Sequence, residues 1–460
     1  MAYKVVVIGG GPGGYTAAIR AAQLGASVAL VEKDQLGGTC LNRGCIPTKA
    51  LVSGAETLAA VRSAGDFGID VAGISLDYAR LAARKNQVVG QLVKGLQFLL
   101  KKKHKIEVIN GVGRIIAPGR VMVETGRGES VNLEAENIIV ATGSRPALIP
   151  ALGYDGENVI TSDEVWQLNK LPGEMLIIGG GVIGCEFAGI FAEYGVKVTV
   201  IEAMPTILPT ADREAARQLQ SLLKRRGIAI KTKTKVEKVK KEGNKVAVVL
   251  EGGETISADK ILISIGRAFN TDNLGLKEAG VELGQKGEVL VNRFMQTNVP
   301  GIYAIGDITD KIQLAHVASA QGLVAVDNIM GRSRAMDYRV VPSCIFTSPE
   351  VAGVGLTTQQ ASDEGIKVKT GKFPFMASGK AQAMGETSGF VKVLVDPESD
   401  KILGVHIVGP HASDLIAEAA LAIQLGATAE QVANTIHAHP TLAEALAEAA
   451  EAVHGRAINI

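Results

Sequence analysis

The sequence predicts an α/β protein: two parallel-sheet units followed by an α+β segment. Three observations carry this. Short β-branched runs alternate with helical stretches through the first part of the chain. One strand–glycine turn–helix–strand unit occurs twice with the same internal spacing. The closing segment changes pattern, to a strand pair around a polar turn (FVKVLVDPESDKILGVHIVG) and two amphipathic helical stretches (HASDLIAEAALAIQLGA and TLAEALAEAAEAV).

The first unit begins at the N-terminus. YKVVVIGGGPGG runs a buried strand into Gly9, Gly11 and Gly14, a G-x-G-x-x-G pattern. The helical stretch YTAAIRAAQLG follows, and a second strand, SVALVE, ends in Glu32. Glycines let a backbone approach a pyrophosphate at a helix N-terminus, and the acid accepts hydrogen bonds from a ribose. The second unit, EMLIIGGGVIGCEFAGIFAEYGVKVTVIE, carries Gly179, Gly181 and Gly184 and ends in Glu202. Each acid follows its first glycine by 23 residues (9 to 32, 179 to 202). The chain is thus expected to hold two Rossmann-like dinucleotide-binding domains, and two dinucleotides in one chain suggest electron transfer between them. The stretch AMPTILPT after Glu202 holds no arginine to take a 2′-phosphate, which favours NAD over NADP unless the fold brings one from elsewhere.

Composition sets the bounds. A chain of 460 residues calls for two to four domains. Its 48 basic and 47 acidic residues nearly cancel, which gives no electrostatic case for nucleic acid or an anionic membrane. No apolar run reaches the length of a membrane span. The N-terminus enters a strand at once, leaving no room for a targeting peptide, so a cytoplasmic protein is expected.

Two of the four cysteines, Cys40 and Cys45, share the stretch GGTCLNRGCIPTK. They suit a structural staple, a metal site or a disulfide that opens and closes in a reaction. A reducing cytosol disfavours the staple. Cys185 and Cys344 are too isolated to complete a zinc quartet, so no metal is expected. In a regular helix, residues five apart are separated by about 7.5 Å along the axis, whereas a disulfide tolerates Cα atoms only about 4.4–6.8 Å apart. Gly44 is placed to supply the distortion a bridge needs, and a bridge held against helix geometry is easier to reduce. Lys49, four residues after Cys45, shares its face if helix resumes, and its ammonium would stabilise a thiolate.

Together with the two fingerprints, GGTCLNRGCIPTK resembles the pyridine nucleotide–disulfide oxidoreductases. Further matches run over essentially the whole chain: IIVATGSRP (138–146) with the link between the family's first two domains, GIYAIGD (301–307) with its second FAD motif, and HAHPTLAE (437–444) with its C-terminal catalytic signature. The resemblance implies an FAD domain over 1–145, a NAD domain over 146–270, a central domain over 271–342 and an interface (dimerisation) domain over 343–460. It implies FAD contacts from Gly9, Gly11, Gly14, Glu32, Lys49, Thr142, Gly143, Ser144, Gly306 and Asp307. NAD contacts fall to Gly179, Gly181, Gly184, Glu202 and Gly266. The likeness is strongest to the lipoamide-linked members. That implies a homodimer which oxidises dihydrolipoamide on a lipoyl-bearing carrier (an E2 acyltransferase or a glycine cleavage H protein) and reduces NAD through a Cys40–Cys45 redox disulfide and FAD. On this reading Cys45 faces the flavin, Cys40 exchanges with substrate, and Lys49 pairs with Glu186.

A dithiol also needs a base, and histidine is the natural one near neutral pH. Of seven histidines, His439 stands out: Pro440 biases it out of helix, and Glu444 follows where a carboxylate would orient the imidazole. The match of HPTLAE to the family implies the same roles, with His439 serving the disulfide of the partner subunit. His437 lacks that match and is not assigned a catalytic role. One departure stands in ISIGRAFNTDNL, where Phe269 replaces a family proline and is expected to alter a turn near NAD.

Overall fold

The structure is a computed structural model, describing residues 2–126, 128–243 and 245–460. The chain divides into two compact units. The first comprises the chain up to Leu51, Ala79–Ala147 and Arg267–Asp337; the second comprises Val52–Tyr78, Leu148–Gly266 and Tyr338–Ile460.

In the first unit, the Tyr3–Ile8 strand lies between Val28–Glu32 and Ser130–Val140, parallel to both, with Val7 opposite Leu30 on one side and Ile139 on the other. Val5, Val6 and Val7 are all fully buried. A strand covered on both faces reads as a continuous apolar run, which is why VVVI shows no alternation. Glu107–Ala117 and Ile302–Ala304 extend the parallel sheet at its two edges, and Arg120–Thr125 completes an antiparallel meander. The Pro12–Gln23 helix buries small residues (Gly13, Gly14, Ala17, Ala18, Ala21) and packs against the Ala315–Ile329 helix. A Cβ on Gly322 would lie 2.8 Å from the Gly13 carbonyl oxygen, so the two helices cross at backbone distance.

The second unit repeats the parallel pattern. Its strands run in the order Ala229–Lys231, Lys197–Ile201, Glu174–Ile178, Lys260–Ile263, Val159–Thr161, all parallel. A separate antiparallel sheet of five strands holds Phe390–Val395 and Ile402–Gly409 side by side, the expected strand pair. Helices Ala412–Leu425 and Glu444–Val453 bury their apolar faces against it, sharing one core with Phe375, Val391 and Ile407. Among the described residues, no helix is long and apolar enough to cross a membrane.

Candidate active site

The two glycine turns are built alike. Gly9 has φ +109°, a conformation open to glycine alone, and a Cβ there would lie 2.3 Å from the Ala141 carbonyl oxygen. A Cβ on Gly14 would fall 1.8 Å from the Gly9 carbonyl oxygen, so strand end and helix meet backbone to backbone. Gly179 (φ +107°) stands likewise 2.3 Å from the Ser264 carbonyl oxygen, and Gly184 2.0 Å from that of Gly179. The middle glycines differ in purpose. A Cβ on Gly181 would meet nothing within 4 Å, and one on Gly11 only the Gly38 Cα at 3.9 Å. Each borders open space at the N-terminus of a 12-residue helix, where free N–H groups and the helix dipole favour a phosphate.

Both acids are buried and organise the turns. Glu32 accepts the N–H of Gly10 on Oε2 (2.7 Å) and that of Asp34 on Oε1 (2.8 Å). Glu202 accepts from Gly180 (2.6 Å) and Met204 (2.7 Å) in the same way. An ionised carboxylate has about four acceptor sites, so each acid keeps acceptor capacity for ribose hydroxyls. The open helix ends and the acids fit two dinucleotides. Gly266, with φ +124° and open space around it, closes the Leu148–Gly266 segment of the second unit.

The cysteines lie just past the first acid. The helix there breaks at Gly44 (φ −135°, ψ −111°), between Gly38–Arg43 and Cys45–Arg62. A Cβ on Gly44 would lie 3.0 Å from the Thr39 carbonyl oxygen and 3.3 Å from the Cys40 Cα. This fold-back brings the Cys40 and Cys45 sulfurs within hydrogen-bonding reach of each other. The Cys40 proton is held well above the ordinary thiol range, first by its bond to Cys45 and then by burial, while Lys49 pulls the other way. A proton on Cys40 and a negative charge on Cys45 therefore reinforce each other. Lys49 is one turn beyond Cys45 on the resumed helix. Tyr15, which drew no attention in the sequence, is half-buried near this pair. Burial and then the two sulfurs push its hydroxyl up.

A third cluster gathers the chain after Val140. The Thr142 hydroxyl donates to the Asn270 carbonyl (2.8 Å), and the Asn270 amide donates to that of Thr142 (2.9 Å). Gly143, with φ +68°, follows. The Ser144 hydroxyl donates to the Asp307 carboxylate, and Arg267 Nε donates to the Ser144 hydroxyl at 2.6 Å while lying 3.6 Å from Asp307. The Gly306 N–H donates to Gln321. Phe269 sits in a short strand, Arg267–Phe269, paired antiparallel with Ser144–Pro146. The position is thus a paired, buried strand residue rather than the turn expected from the sequence.

In the second unit, His439 Nδ1 lies 2.8 Å from Glu444 Oε1, and the Thr441 N–H donates to Glu444 Oε2 (2.7 Å). Burial acts to raise the Glu444 carboxyl, but the Thr441 N–H and His439 outweigh it and hold it below the usual range. The His439 side chain is 80% exposed. Glu186 is buried and accepts the Phe346 N–H at 3.0 Å.

Residues 3–322 match the pyridine nucleotide-disulphide oxidoreductase family, and residues 341–450 match its dimerisation domain. The chain belongs to this family. It is 48% identical to a dihydrolipoyl dehydrogenase of Bacillus subtilis over 99% of both chains. It is 46% identical to one of Thermus scotoductus, over 100% of this chain and 99% of that protein. It is also 41% identical to a mitochondrial dihydrolipoyl dehydrogenase of Pisum sativum, over 99% and 92%. Among solved structures, LpdA of Mycobacterium tuberculosis matches with a TM-score of 0.92 at 30% identity, over 97% of this chain and 99% of that one. The pyridine nucleotide-disulphide oxidoreductases use FAD and NAD(H), in accord with two cradles in one chain.

Within the family signature HAHPTLAE, the two histidines differ in a way the sequence hides. His437 places Nε2 2.8 Å from Glu418 and Nδ1 2.8 Å from the Thr435 carbonyl oxygen. With acceptors at both nitrogens, it has no lone pair turned to solvent. His439 commits only Nδ1. A carboxylate neighbour is not peculiar to His439, since His454 lies 3.3 Å from Asp400 and His411 3.7 Å from Asp414.

Proposed function

We propose that the chain is a homodimeric, cytoplasmic dihydrolipoyl dehydrogenase that takes dihydrolipoamide from a lipoyl-bearing carrier, an E2 acyltransferase or a glycine cleavage H protein, and reduces NAD. The observation that carries this reading is the contact between the Cys40 and Cys45 thiols made by the break at Gly44, a few residues past the acid of the first cradle. The first cradle, with Lys49, Thr142, Gly143, Ser144, Gly306 and Asp307, holds FAD; the second, with Gly266, holds NAD. Held there, FAD would supply two-electron redox chemistry beside the cysteines, and NAD in the second cradle would supply a hydride acceptor.

The chain's own residues do the sulfur chemistry. His439 of the partner subunit removes a proton from one substrate thiol, and Glu444 stabilises the imidazolium so formed. The substrate thiolate attacks Cys40 of the oxidised pair. A mixed disulfide forms and Cys45 leaves as a thiolate. The second substrate sulfur then displaces Cys40, which releases lipoamide and leaves the Cys40 thiol beside the Cys45 thiolate. High exposure of His439 suits a base that acts on another subunit's substrate.

The test is NADH formation from dihydrolipoamide by the purified flavoprotein. Turnover is expected, with Cys40→Ser abolishing it while flavin is retained. His439→Gln is expected to lower it by roughly 10²–10⁴. A wild-type protein that binds flavin yet forms no NADH from dihydrolipoamide would sink the reading. A Lys49→Met, Glu186→Gln double-mutant cycle tests the pairing implied for those two; strictly additive losses count against it.

A further inference from the structure

His439 stands on a loop that its own subunit holds at few points. Residues 434–443 join the Ala429–Ala433 helix to the Glu444–Val453 helix. Ile436 is 98% exposed there, and Thr435, Ala438 and Pro440 are exposed with it. Among these neighbours His437 alone turns inward, with a side chain only 9% exposed. A base that serves another subunit must face away from its own, yet it must not wander. One inward side chain on an outward loop meets both demands.

The bonds of this loop differ in reach. The Thr435 hydroxyl donates to the Gln431 carbonyl (2.9 Å), the Thr441 hydroxyl to that of Ala438 (2.7 Å) and the Thr441 N–H to Glu444 (2.7 Å). These, and the contact of His439 with Glu444, close within five positions along the chain. Local bonds of that kind shape a loop without tying it to the body of the protein. Among the described residues, the contact of His437 Nε2 with Glu418 is the one hydrogen bond from 434–441 to a distant element, 19 positions away. Glu418 lies on the Ala412–Leu425 helix, between Ile416 and Ala419, which are buried in the core of the antiparallel sheet. The anchor is thus a rigid helix, whereas an exposed loop lacking it has little to oppose local opening.

We propose that His437 is a positioning residue: through Glu418 it fixes the loop that presents His439, and so sets where the uncommitted nitrogen of the base stands. The inference rests on the proposed function, in which His439 takes the substrate proton. His437 itself carries no proton in the reaction. A displacement of about 1 Å at a reacting group costs roughly a hundredfold in rate, so a single anchor has leverage over catalysis without touching substrate or flavin.

The experiment uses the flavin-loaded enzyme and two substitutions that divide the imidazole. His437→Asn puts an amide near the place of Nδ1 and keeps only the bond to Thr435; His437→Gln reaches the place of Nε2 and keeps only the bond to Glu418. Flavin reduction by dihydrolipoamide, followed by stopped-flow absorbance, is expected to slow roughly tenfold to a hundredfold in His437→Asn. His437→Gln retains most of the rate. Glu418→Ala matches His437→Asn, and the double variant adds little further loss. Flavin reduction by NADH, which needs no base, is unchanged in all of them. Hydrogen exchange over 434–441 is faster in His437→Asn and Glu418→Ala than in the wild type or His437→Gln. Wild-type reduction by dihydrolipoamide in His437→Asn overturns the proposal. So does a His437→Gln as slow as His437→Asn, or an equal slowing with dihydrolipoamide and NADH, which is general damage. If dihydrolipoamide fails to reduce even the wild type, the functional reading fails, and hydrogen exchange alone decides the anchor: faster exchange in His437→Asn than in His437→Gln keeps it, and equal exchange removes it.

Discussion

The two cradles match bond for bond and then part. Each acid binds the N–H of a glycine 22 positions earlier and the N–H two positions later. In the first, the Gly10 carbonyl oxygen accepts the Gly37 N–H, and the chain passes straight into the cysteine helix. In the second, the Gly180 carbonyl oxygen accepts the Leu208 N–H, and the chain runs on to Asp212, which caps the Arg213–Arg225 helix. Asp212 also accepts from Lys392 (2.8 Å) on the antiparallel sheet and from Thr358. One socket leads into the paired cysteines; the other is fastened to the antiparallel sheet against which the Glu444–Val453 helix packs. Nucleotide binding is thus the repeated part, and what each socket serves is decided by the few residues after its acid.

The largest way to separate the two is to fill one and spare the other. Gly14→Ala sets a Cβ 1.8 Å from a backbone oxygen, and Gly184→Ala sets one at 2.0 Å. Backbone cannot yield at that distance without moving the helix. Gly14→Ala is expected to give protein without flavin. Gly184→Ala is expected to give a flavoprotein still bleached by dihydrolipoamide that forms no NADH. Absorbance of the purified variants reads both. Flavin loss from Gly184→Ala would reverse the assignment of the sockets.

Next in size is the fastening found only in the second cradle. Asp212 and Lys392 are almost wholly buried as a pair. Burial acts to raise the Asp212 carboxyl, but Lys392, His406 and the Thr358 N–H overcome it and hold it down to about 2. Removing one member of a buried pair costs about 3–5 kcal/mol, so Lys392→Ala should lower the thermal midpoint and leave flavin content unchanged. The sign of the pH effect follows from a depressed folded pKa. The stabilisation is full above the unfolded carboxyl pKa and is lost as pH falls from about 4 towards 2. In Lys392→Ala the acid transition should move to higher pH. An unchanged acid transition would show that the pair does not fasten this unit.

These differences mark what the sequence discloses. The fingerprints, the cysteine pair with its breaking glycine, and His439 with Glu444 are local patterns. Spacing along the chain carries them, and the folded strands, helices and the break at Gly44 follow that spacing. Asp212 and Lys392 are 180 positions apart, and Ser144, Arg267 and Asp307 meet across three segments. Contacts of that kind leave no period in the sequence, because each residue alone reads as a solvated charge or hydroxyl. Glu186 illustrates the point: it is a single charge in an apolar helix, and its burial and its bond to the Phe346 N–H depend on a segment 160 residues away. His437 does too, since its acceptor Glu418 lies on another helix.

The smallest expected effect is the most discriminating. Glu32→Gln and Glu202→Gln make the same chemical change in matching places. A glutamine sets one amide donor against a backbone N–H, so each variant loses one charge-assisted bond, about 1.5–3 kcal/mol. In the second cradle nothing lies downstream except the loop to Asp212, so Glu202→Gln should raise the KM for NAD roughly tenfold and leave kcat alone. In the first, Asp34 both donates to Glu32 and pairs with Arg43 on the cysteine helix. Loosening Glu32 therefore disturbs the helix that holds Cys40, and Glu32→Gln should lower kcat for dihydrolipoamide as well as flavin affinity. Steady-state kinetics at saturating flavin separates the two. If Glu32→Gln, once reloaded, turns over at the wild-type rate, the turn from acid to cysteines is a passive linker. The first socket then only holds its nucleotide, as the second does.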